Sequence, residues 1–185
     1  MGALHAGHAS LIKRAQKECE HVIVSIFVNP IQFNHYKDFE NYPSDNKGDI
    51  SFLESLNVSL LFNPSGIVVY PDGPKIKNYN LDNLDTKLEG LLRPGHFQGV
   101  ATVIDRLFDI LKPDRAYFGL KDYQQVQVIK KLASIRAECP EIIGCPIIRE
   151  DTGLAMSSRN SMLNTKQKKA ASSIFRALKF AEKEG

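Results

Sequence analysis

Along this chain, segments whose apolar residues recur with the period of a helix alternate with short apolar runs typical of buried strands. Helices are predicted around residues 11–19, 50–56, 97–111, 123–136 and 165–183, and strands at 22–28, 59–62, 115–118 and 141–148. Strands that alternate with helices predict a Rossmann-like α/β fold, with a mostly parallel sheet and flanking helices. Ligands of such sheets bind at the carboxyl ends of the strands, so a site is expected in the loops that follow them.

The composition excludes several kinds of protein. With 43% hydrophobic and 24% charged residues among 185, the chain is expected to be soluble and globular. Its formal net charge of +3 is too small to indicate nucleic-acid binding, and its densest basic stretch, residues 166–169, is interpreted as a solvated helix face. No run approaches the roughly 18 apolar residues of a membrane span, and no signal peptide is visible. We therefore predict a cytoplasmic protein that binds neither nucleic acid nor membrane.

The cysteines give no sign of a metal site. Cys19, Cys139 and Cys145 are odd in number and lack the spacing of metal ligands. Reduced, mostly buried thiols in a cytosolic protein are the natural interpretation.

Residues 1–8 read MGALHAGH and stand immediately before the first predicted helix. A helix N-terminus offers free backbone N–H groups and the positive end of the helix dipole to a phosphate. Gly7 allows close approach to the backbone, and the imidazoles of His5 and His8 can donate hydrogen bonds or a proton. The motif indicates phosphate binding, although two surface histidines, or a cap beside an incidental neighbour, would look the same. A metal is disfavoured because no third ligand follows at a suitable spacing.

A second loop, residues 28–33, follows the strongest predicted strand. Pro30 fixes a turn, and Gln32 is expected to project at the carboxyl end of that strand, where its amide can donate and accept hydrogen bonds. Such a group suits a small polyhydroxy acid. A surface glutamine that happens to follow a strand is the alternative.

A third loop, residues 118–125, again joins a predicted strand to a helix. Gly119 permits close backbone approach, Lys121 supplies a point charge for phosphate, and Asp122 can accept from ribose hydroxyls. Gln125 stands one turn into the helix and is expected to face the same cleft. The alternative is that Asp122 caps the helix beside an exposed lysine.

A fourth loop, residues 156–160, places two hydroxyls and the Arg159 guanidinium in succession. This combination forms an anion clamp suited to the β- and γ-phosphates of a nucleotide, unless the segment is simply a flexible polar loop. Residues 89–96 also bring charge to a helix start, with Arg93 or His96 available for an acid ligand.

These segments belong to a pattern found in one known family. MGALHAGH, VSIFVNPIQF, NYP, LEGLLRPGHFQGV, PDRAYFGLKDYQQ and GLAMSSRN occur in its order and at its spacing. The chain therefore resembles the pantoate–β-alanine ligases of the nucleotidyltransferase superfamily, and residues 156–159 stand where the second signature of that superfamily falls. The resemblance implies an enzyme that condenses pantoate with β-alanine through a pantoyl-adenylate, using ATP and releasing AMP and pyrophosphate. It also implies Mg²⁺ with the triphosphate, and a homodimer.

The resemblance also implies roles for individual residues. The ATP site would comprise Met1, Gly2, Ala3, Leu4, His5, Ala6, Gly7, His8, Gly119, Leu120, Lys121, Asp122, Ile148, Met156, Ser157, Ser158 and Arg159. Within it, the catalytic residues would be His5, His8, Lys121 and Arg159, with His8 the usual proton donor. Gln32 and Gln125 would bind pantoate, Gln32 would also bind β-alanine, and Glu89 and Arg93 would line the same cavity.

The sequence departs from the family pattern at three places. Leu120 stands where an acidic residue is usual, which is expected to alter ribose or local charge contacts. The strand that should lead into residue 1 is missing, and so is most of the carboxyl-terminal lid domain. We therefore expect residues 1–160 to form the nucleotide- and pantoate-binding α/β domain, and residues 161–185 to begin a truncated second domain. On this hypothesis, ATP binding is weak and the second step is leaky or absent.

Two other functions are compatible with part of the sequence. Another adenylyltransferase of the superfamily would share the first motif, but it would not predict the loops at residues 28–33 and 118–125. A non-catalytic nucleotide-binding module would suit the clipped ends, although the intact histidines, lysine and arginine argue against it.

Overall fold

A computed structural model describes residues 2–184 and shows helices alternating with parallel strands, as the sequence predicts. The helices are α1 (Ala6–Glu18), α2 (Tyr36–Glu40), α3 (Asn46–Ser55), α4 (Gly66–Val69), α5 (Glu89–Leu92), α6 (His96–Leu111), α7 (Tyr123–Ser134) and α8 (Thr165–Glu184). The strands are β1 (Ile23–Ser25), β2 (Leu60–Phe62), β3 (Arg115–Gly119) and β4 (Glu141–Cys145). Three 3₁₀ turns, Pro30–Gln32, Leu120–Asp122 and Ser158–Met162, lie in the loops that carry the predicted motifs.

The strands of the described region form two parallel pairs. Strand β1 pairs with β2, with Ile23 opposite Leu60, and β3 pairs with β4, with Arg115 opposite Glu141. Because both of these pairs are parallel, the carboxyl ends of paired strands lie at the same edge. The loops that leave β1 and β3 therefore both emerge where ligands of α/β folds bind.

Two strands end earlier than the apolar pattern suggests. The prediction of a strand over residues 22–28 was wrong beyond Ser25, because the chain turns toward Pro30 soon after the Ile26 N–H donates to the Phe62 carbonyl at 2.9 Å. The prediction over residues 141–148 was wrong beyond Cys145, since Pro146 has no N–H to continue the ladder.

The predicted helices are all present, with ends shifted by a few residues. Helix α6 begins at His96 and ends at Leu111, where Lys112 adopts a left-handed conformation (φ 43°) directly before Pro113. Helix α7 ends at Ser134 rather than at residue 136. No helix in residues 2–184 combines the length and the apolar character needed to cross a membrane.

Apolar clusters fix the helices that carry the predicted motifs. One cluster joins Ile12 of α1 to Leu53 of α3 across Ile26, just beyond β1. A second cluster packs α6 against α7 through Phe97 and Leu132. These contacts fix α1 against α3 and α6 against α7.

A cavity of about 780 Å³ lies between the two strand pairs. Its walls include Ile12 of α1, Val24 of β1, Leu107 of α6 and Ala116 of β3, and most of the other lining side chains are apolar as well. Among the polar side chains predicted to bind substrates, His8 borders this cavity, whereas the others are not part of its lining.

Candidate active site

His5 and His8 cap the amino end of α1 with their own side chains. His5 Nδ1 accepts from the Gly7 N–H at 3.1 Å, and His8 Nδ1 accepts from the His5 N–H at 3.2 Å. The two ring centroids are 4.1 Å apart. The capping alternative is therefore confirmed as a local structure, and it holds both imidazoles together at a helix N-terminus.

This capping fixes the protonation of the two rings. A nitrogen that accepts from a backbone N–H carries no proton, so a neutral imidazole capped in this way has its proton on Nε2. His5 and His8 therefore each retain an Nε2–H group as a hydrogen-bond donor.

Burial keeps the imidazoles neutral. It is the main cause that lowers the pKa of His8 from 6.5 to about 3, and the nearby His5 and Lys121 contribute in the same direction. Burial, followed by the charge of Lys121, also lowers the pKa of His5. At neutral pH, His8 is thus a neutral donor rather than an imidazolium.

Gly7 lets the motif close on itself and meet the fourth loop. A Cβ at Gly7 would lie 2.8 Å from His5 Cε1 and 2.9 Å from His5 Nδ1, so a side chain here would displace the His5 ring. The same Cβ would be 3.6 Å from Met156 Cβ. Gly7 and the start of the loop at residues 156–159 are therefore neighbours.

Lys121 and Asp122 lie in the 3₁₀ turn that follows β3. Lys121 Nζ contacts Asp122 Oδ1 at 2.9 Å, and within the described part of the chain the Asp122 side chain makes no capping hydrogen bond to α7. Asp122 therefore stands at the N-cap position of α7 beside an exposed lysine, as the alternative has it, but it does not cap the helix through its side chain. Because Lys121 lowers the pKa of both His5 and His8, its charge acts on the same site as the histidines.

Leu120 packs against the neighbouring strand. A Cβ at Gly144 of β4 would lie 2.9 Å from Leu120 Cδ2, so the leucine side chain covers the face of this glycine. The structure thus gives Leu120 a packing role, beside the change in ribose or charge contacts that the sequence predicts.

A buried network orients Gln32. Its Oε1 accepts from Asn29 Nδ2 at 3.0 Å, while Asn29, only 1% exposed, also donates to the Gly99 carbonyl at 3.2 Å. The Tyr70 hydroxyl donates to Asn29 Oδ1 at 2.7 Å, and burial raises the pKa of Tyr70, so this hydroxyl keeps its proton. Gln32 is therefore held in a defined orientation rather than being an unstructured surface glutamine.

Residues 89–96 converge on the Gln32 backbone. The Gln32 carbonyl accepts from His96 Nδ1 at 2.7 Å and from Arg93 Nη2 at 3.5 Å, and Arg93 Nη1 also contacts Glu89 Oε1 at 2.7 Å. Asp122 acts electrostatically on His96, so this cluster lies near the third loop. Arg93 thus stands beside Gln32 and Glu89 beside Arg93, while their place in the wall of the substrate cavity stays a prediction.

Gln125 lies in the first turn of α7 and is half-buried. Its neighbour Gln124 accepts from the Glu89 N–H at 3.1 Å and donates to the Leu84 and Lys87 carbonyls, each at 2.7 Å. The start of α7 is therefore tied to the segment that carries Glu89.

The fourth loop is folded rather than free. Ile148 lies beyond the end of β4, and its carbonyl accepts from the Met156 N–H at 3.0 Å, which joins the predicted adenine and phosphate segments. The Ser157 hydroxyl accepts from the Arg159 N–H at 3.3 Å and caps the 3₁₀ turn Ser158–Met162.

Arg159 is engaged by an acidic partner in this structure. Its Nη2 contacts both carboxylate oxygens of Asp38 at 3.0 and 3.1 Å, and its guanidinium stacks 5.1 Å from the centre of the Tyr42 ring. Both partners of the ion pair are about half exposed, so a phosphate can compete with the carboxylate for this arginine.

Sequence reasoning missed two residues of the site. Asn29, beside Gln32, was not predicted, and neither was Asp49, which binds the turn before His5. Met1, which is predicted to join the ATP site, lies outside the described residues. Gly185, the last residue of the predicted second domain, does so as well, and a domain division at residue 160 stays a prediction.

The whole chain, residues 1–185, matches the family model described as pantoate-beta-alanine ligase. The chain belongs to the pantoate–β-alanine ligase family. Its sequence is 52% identical over 182 residues to the pantothenate synthetase of Clostridium botulinum (strain Kyoto / Type A2), covering 98% of this chain and 64% of that relative. It is 50% identical over 184 residues to the pantothenate synthetase of Thermodesulfovibrio yellowstonii, covering 99% of this chain and 65% of the relative.

Solved structures of the pantoate–β-alanine ligase family have the same fold. The ligase of Francisella tularensis, crystallised with beta-gamma ATP and β-alanine, superposes with a TM-score of 0.92 at 47% identity, over 97% of this chain and 69% of that one. The pantothenate synthetase of Thermus thermophilus superposes with a TM-score of 0.92 at 42% identity, over 100% and 68% of the two chains. The resemblance and the α/β nucleotidyltransferase-type fold are thereby confirmed. The chain spans about two thirds of the length of these relatives.

Proposed function

We propose that this chain takes part in the ATP-dependent condensation of pantoate with β-alanine, through a pantoyl-adenylate. The observation that carries the proposal is the meeting of three groups at one helix end. Two neutral imidazoles with available Nε2–H groups, a lysine and the start of the 156–159 loop converge there, in a chain of the pantoate–β-alanine ligase family.

The ATP site is proposed to follow the amino end of α1. The backbone and side chains of residues 2–8 would receive the phosphates, with the positive end of the helix dipole behind them. Residues 119–122 and the Ile148 backbone would hold the ribose and adenine side. Met156, Ser157, Ser158 and Arg159 would cover the β- and γ-phosphates once Arg159 exchanges Asp38 for phosphate. Met1 belongs to the proposed site by resemblance.

In the first step, an oxygen of the pantoate carboxylate forms a bond to the α-phosphorus of ATP. The bond from that phosphorus to the bridging oxygen breaks, and pyrophosphate leaves with the electron pair. His8 Nε2–H, His5 Nε2–H and the Lys121 ammonium would donate to phosphate oxygens as negative charge shifts onto them. Donors held in place before the reaction are the largest contribution to such a step.

In the second step, the β-alanine amine attacks the acyl carbon of the adenylate. AMP leaves with the oxygen that came from the carboxylate, and the amine loses a proton as the amide forms. Gln32 and Gln125 are proposed to hold pantoate, and Gln32 also β-alanine. The Asn29–Tyr70 network supports this because it presents the Gln32 amide in a fixed orientation, which contributes to positioning two small substrates.

Mg²⁺ is proposed to arrive with the triphosphate. Among residues 2–184, no three His, Cys, Asp or Glu side chains are grouped to hold a metal ion. The phosphates and water would supply most of its ligands, which is common for Mg²⁺ bound with nucleotides. When bound, Mg²⁺ would neutralise charge on the β- and γ-phosphates. A homodimeric, cytoplasmic enzyme is proposed by family resemblance alone.

The proposal is tested by supplying the purified chain with MgATP, pantoate and β-alanine and measuring AMP and pantothenate. We expect AMP release that depends on pantoate, and amide formation that depends on both acids. Exchange of labelled pyrophosphate into ATP with pantoate alone would assign only the first step to this chain. ATP binding without either reaction would indicate a non-catalytic nucleotide-binding module and would contradict the proposal.

A further inference from the structure

A buried carboxylate binds the turn that precedes the two histidines. Asp49 lies in the first turn of α3 and is only 3% exposed. Its Oδ2 accepts from the Ala3 N–H at 2.9 Å, and its Oδ1 accepts from the Leu4 N–H at 2.6 Å. Both contacts join segments more than forty residues apart, since the separations are 46 and 45.

The turn needs such an anchor because its backbone is strained. Gly2 has a φ of 110° and Ala3 a φ of 51°, so two successive residues lie in the left-handed region. A non-glycine residue there costs on the order of 1 kcal/mol, and it persists only where surrounding contacts enforce it. The two N–H groups that donate to Asp49 would also lose their partners without it.

The same helix holds the turn through an apolar contact. Leu4 packs in the cluster formed by Ile12, Ile26 and Leu53, and Leu53 stands one turn beyond Asp49 on α3. A Cβ at Gly2 would lie 3.3 Å from Asp49 Oδ2 and 3.5 Å from Ile26 Cγ2, so the turn has little room to shift. Helix α3 therefore fixes residues 2–4 from one side by charge and by packing.

The position of this turn determines where the histidines stand. His5 follows Leu4 directly and is the N-cap of α1, and its N–H is the donor that orients the His8 ring. A displaced turn would change the direction of the His5 N–H and thus of both Nε2–H groups. A misplacement of about 1 Å at a reacting group can cost about a hundredfold in rate.

We propose that Asp49 is a positioning residue of the nucleotide site, a role that rests on the proposed function. Asp49 does not itself contact the ligand, since both of its oxygens face backbone N–H groups and its side chain is buried. Its negative charge opposes the binding of an anionic triphosphate. Charge alone would therefore make ATP bind more tightly when Asp49 is neutralised, whereas loss of positioning would make ATP bind more weakly.

The direction in which ATP affinity changes is measured with Asp49→Asn. This substitution keeps the shape of the side chain but presents an amide NH₂ to one of the two backbone N–H groups. We expect the Kd for MgATP, measured by calorimetry without pantoate, to rise about tenfold or more. Hydrogen exchange at the Ala3 and Leu4 amides is expected to accelerate in the ligand-free protein. All measurements are made at a temperature where each variant is folded by circular dichroism.

Asp45 supplies a control for the lost charge and a control for the lost stability of α3. Its side chain accepts from the Gly48 N–H at 3.0 Å and so caps α3, but it does not contact the turn at residues 2–4. Asp45→Asn removes the same charge and retains a good cap, and its Kd is expected to stay within about twofold of wild type. Asp45→Ala removes the cap and lowers stability measurably, again with little change in Kd.

Three outcomes contradict the proposal. Asp49→Asn that binds ATP as well as wild type, or more tightly, overturns it while leaving the proposed function intact. An equal loss of affinity in Asp45→Ala would show that the stability of α3 alone accounts for the effect. A wild-type chain that binds no MgATP would contradict the proposed function itself, and this role with it.

Discussion

Replacing Gly99 with alanine is expected to separate α6 from the turn that carries Gln32. A Cβ at Gly99 would lie 2.4 Å from the Ile31 carbonyl oxygen and 3.0 Å from Gln32 Cα, and both are backbone atoms that cannot rotate away. The Gly99 carbonyl is also an acceptor for Asn29 Nδ2, so the network behind Gln32 moves as well. We expect a loss of about 1–3 kcal/mol in the free energy of unfolding, as for other overpacked sites.

The binding of pantoate is expected to change more than the stability of the fold. Because the Gln32 turn is displaced, the KM for pantoate is expected to rise by about a hundredfold, while the Kd for MgATP changes little. Gly66→Ala is the matched control, since no atom of the described residues lies within 4 Å of a Cβ at that position, apart from Gly66 itself, its chain neighbours and the backbone of its own helix. Urea unfolding and steady-state kinetics are measured on both variants. A Gly99→Ala protein with wild-type stability and wild-type pantoate KM would show that the close contact does not position Gln32.

The second large effect is expected on substitution of His8. In this ring Nδ1 accepts from the His5 N–H and caps the helix, whereas Nε2–H is the donor available to a phosphate. In His8→Asn, the side-chain oxygen can take the place of Nδ1 and accept from the His5 N–H, but the Nε2–H donor is lost. We expect pantoate-dependent pyrophosphate exchange to fall by about 10²–10³, the usual cost of removing one preorganised donor. Unfolding stability is expected to change little, and His21→Asn, at an exposed histidine, serves as the control.

The pH dependence distinguishes a neutral donor from an acid. Because burial lowers the pKa of His8 to about 3, its imidazolium form is scarce at neutral pH. We therefore expect the exchange rate of the wild-type chain to show no His8-dependent fall between about pH 6 and pH 8. An imidazolium that donates its proton would instead lose about tenfold in rate for each pH unit above its pKa. A tenfold decline per unit that disappears in His8→Asn would contradict a neutral donor.

Short-range patterns in the sequence predicted much of this structure. His5, Gly7 and His8 lie within four residues of one another, so a single helix start brings them together whatever the rest of the fold does. The order of strands and helices follows from apolar periodicity, and the loop positions follow from parallel pairing. Pro146, which directly follows the last residue of β4, was visible in the sequence, but an apolar pattern counts side chains and ignores missing N–H donors.

The parts that could not be predicted depend on contacts between distant segments. Asp49 binds a turn 45 residues away, and Tyr70 orients Asn29 across 41 residues. A lone aspartate at a helix start and a lone tyrosine after a short helix look the same whether they face solvent or a site. Leu120 shows the same limit, since its packing on Gly144 requires knowledge of which strands pair.

In the proposed reaction, a carboxylate oxygen of pantoate forms a bond to the α-phosphorus of ATP. This step is tested most directly by supplying pantoate labelled with ¹⁸O in its carboxylate, together with MgATP and β-alanine, and analysing AMP by mass spectrometry. Transfer of one ¹⁸O from pantoate to the phosphate of AMP is the predicted result, because AMP leaves with the carboxylate oxygen. AMP that carries no label from pantoate, and takes its oxygen from water instead, would contradict the account.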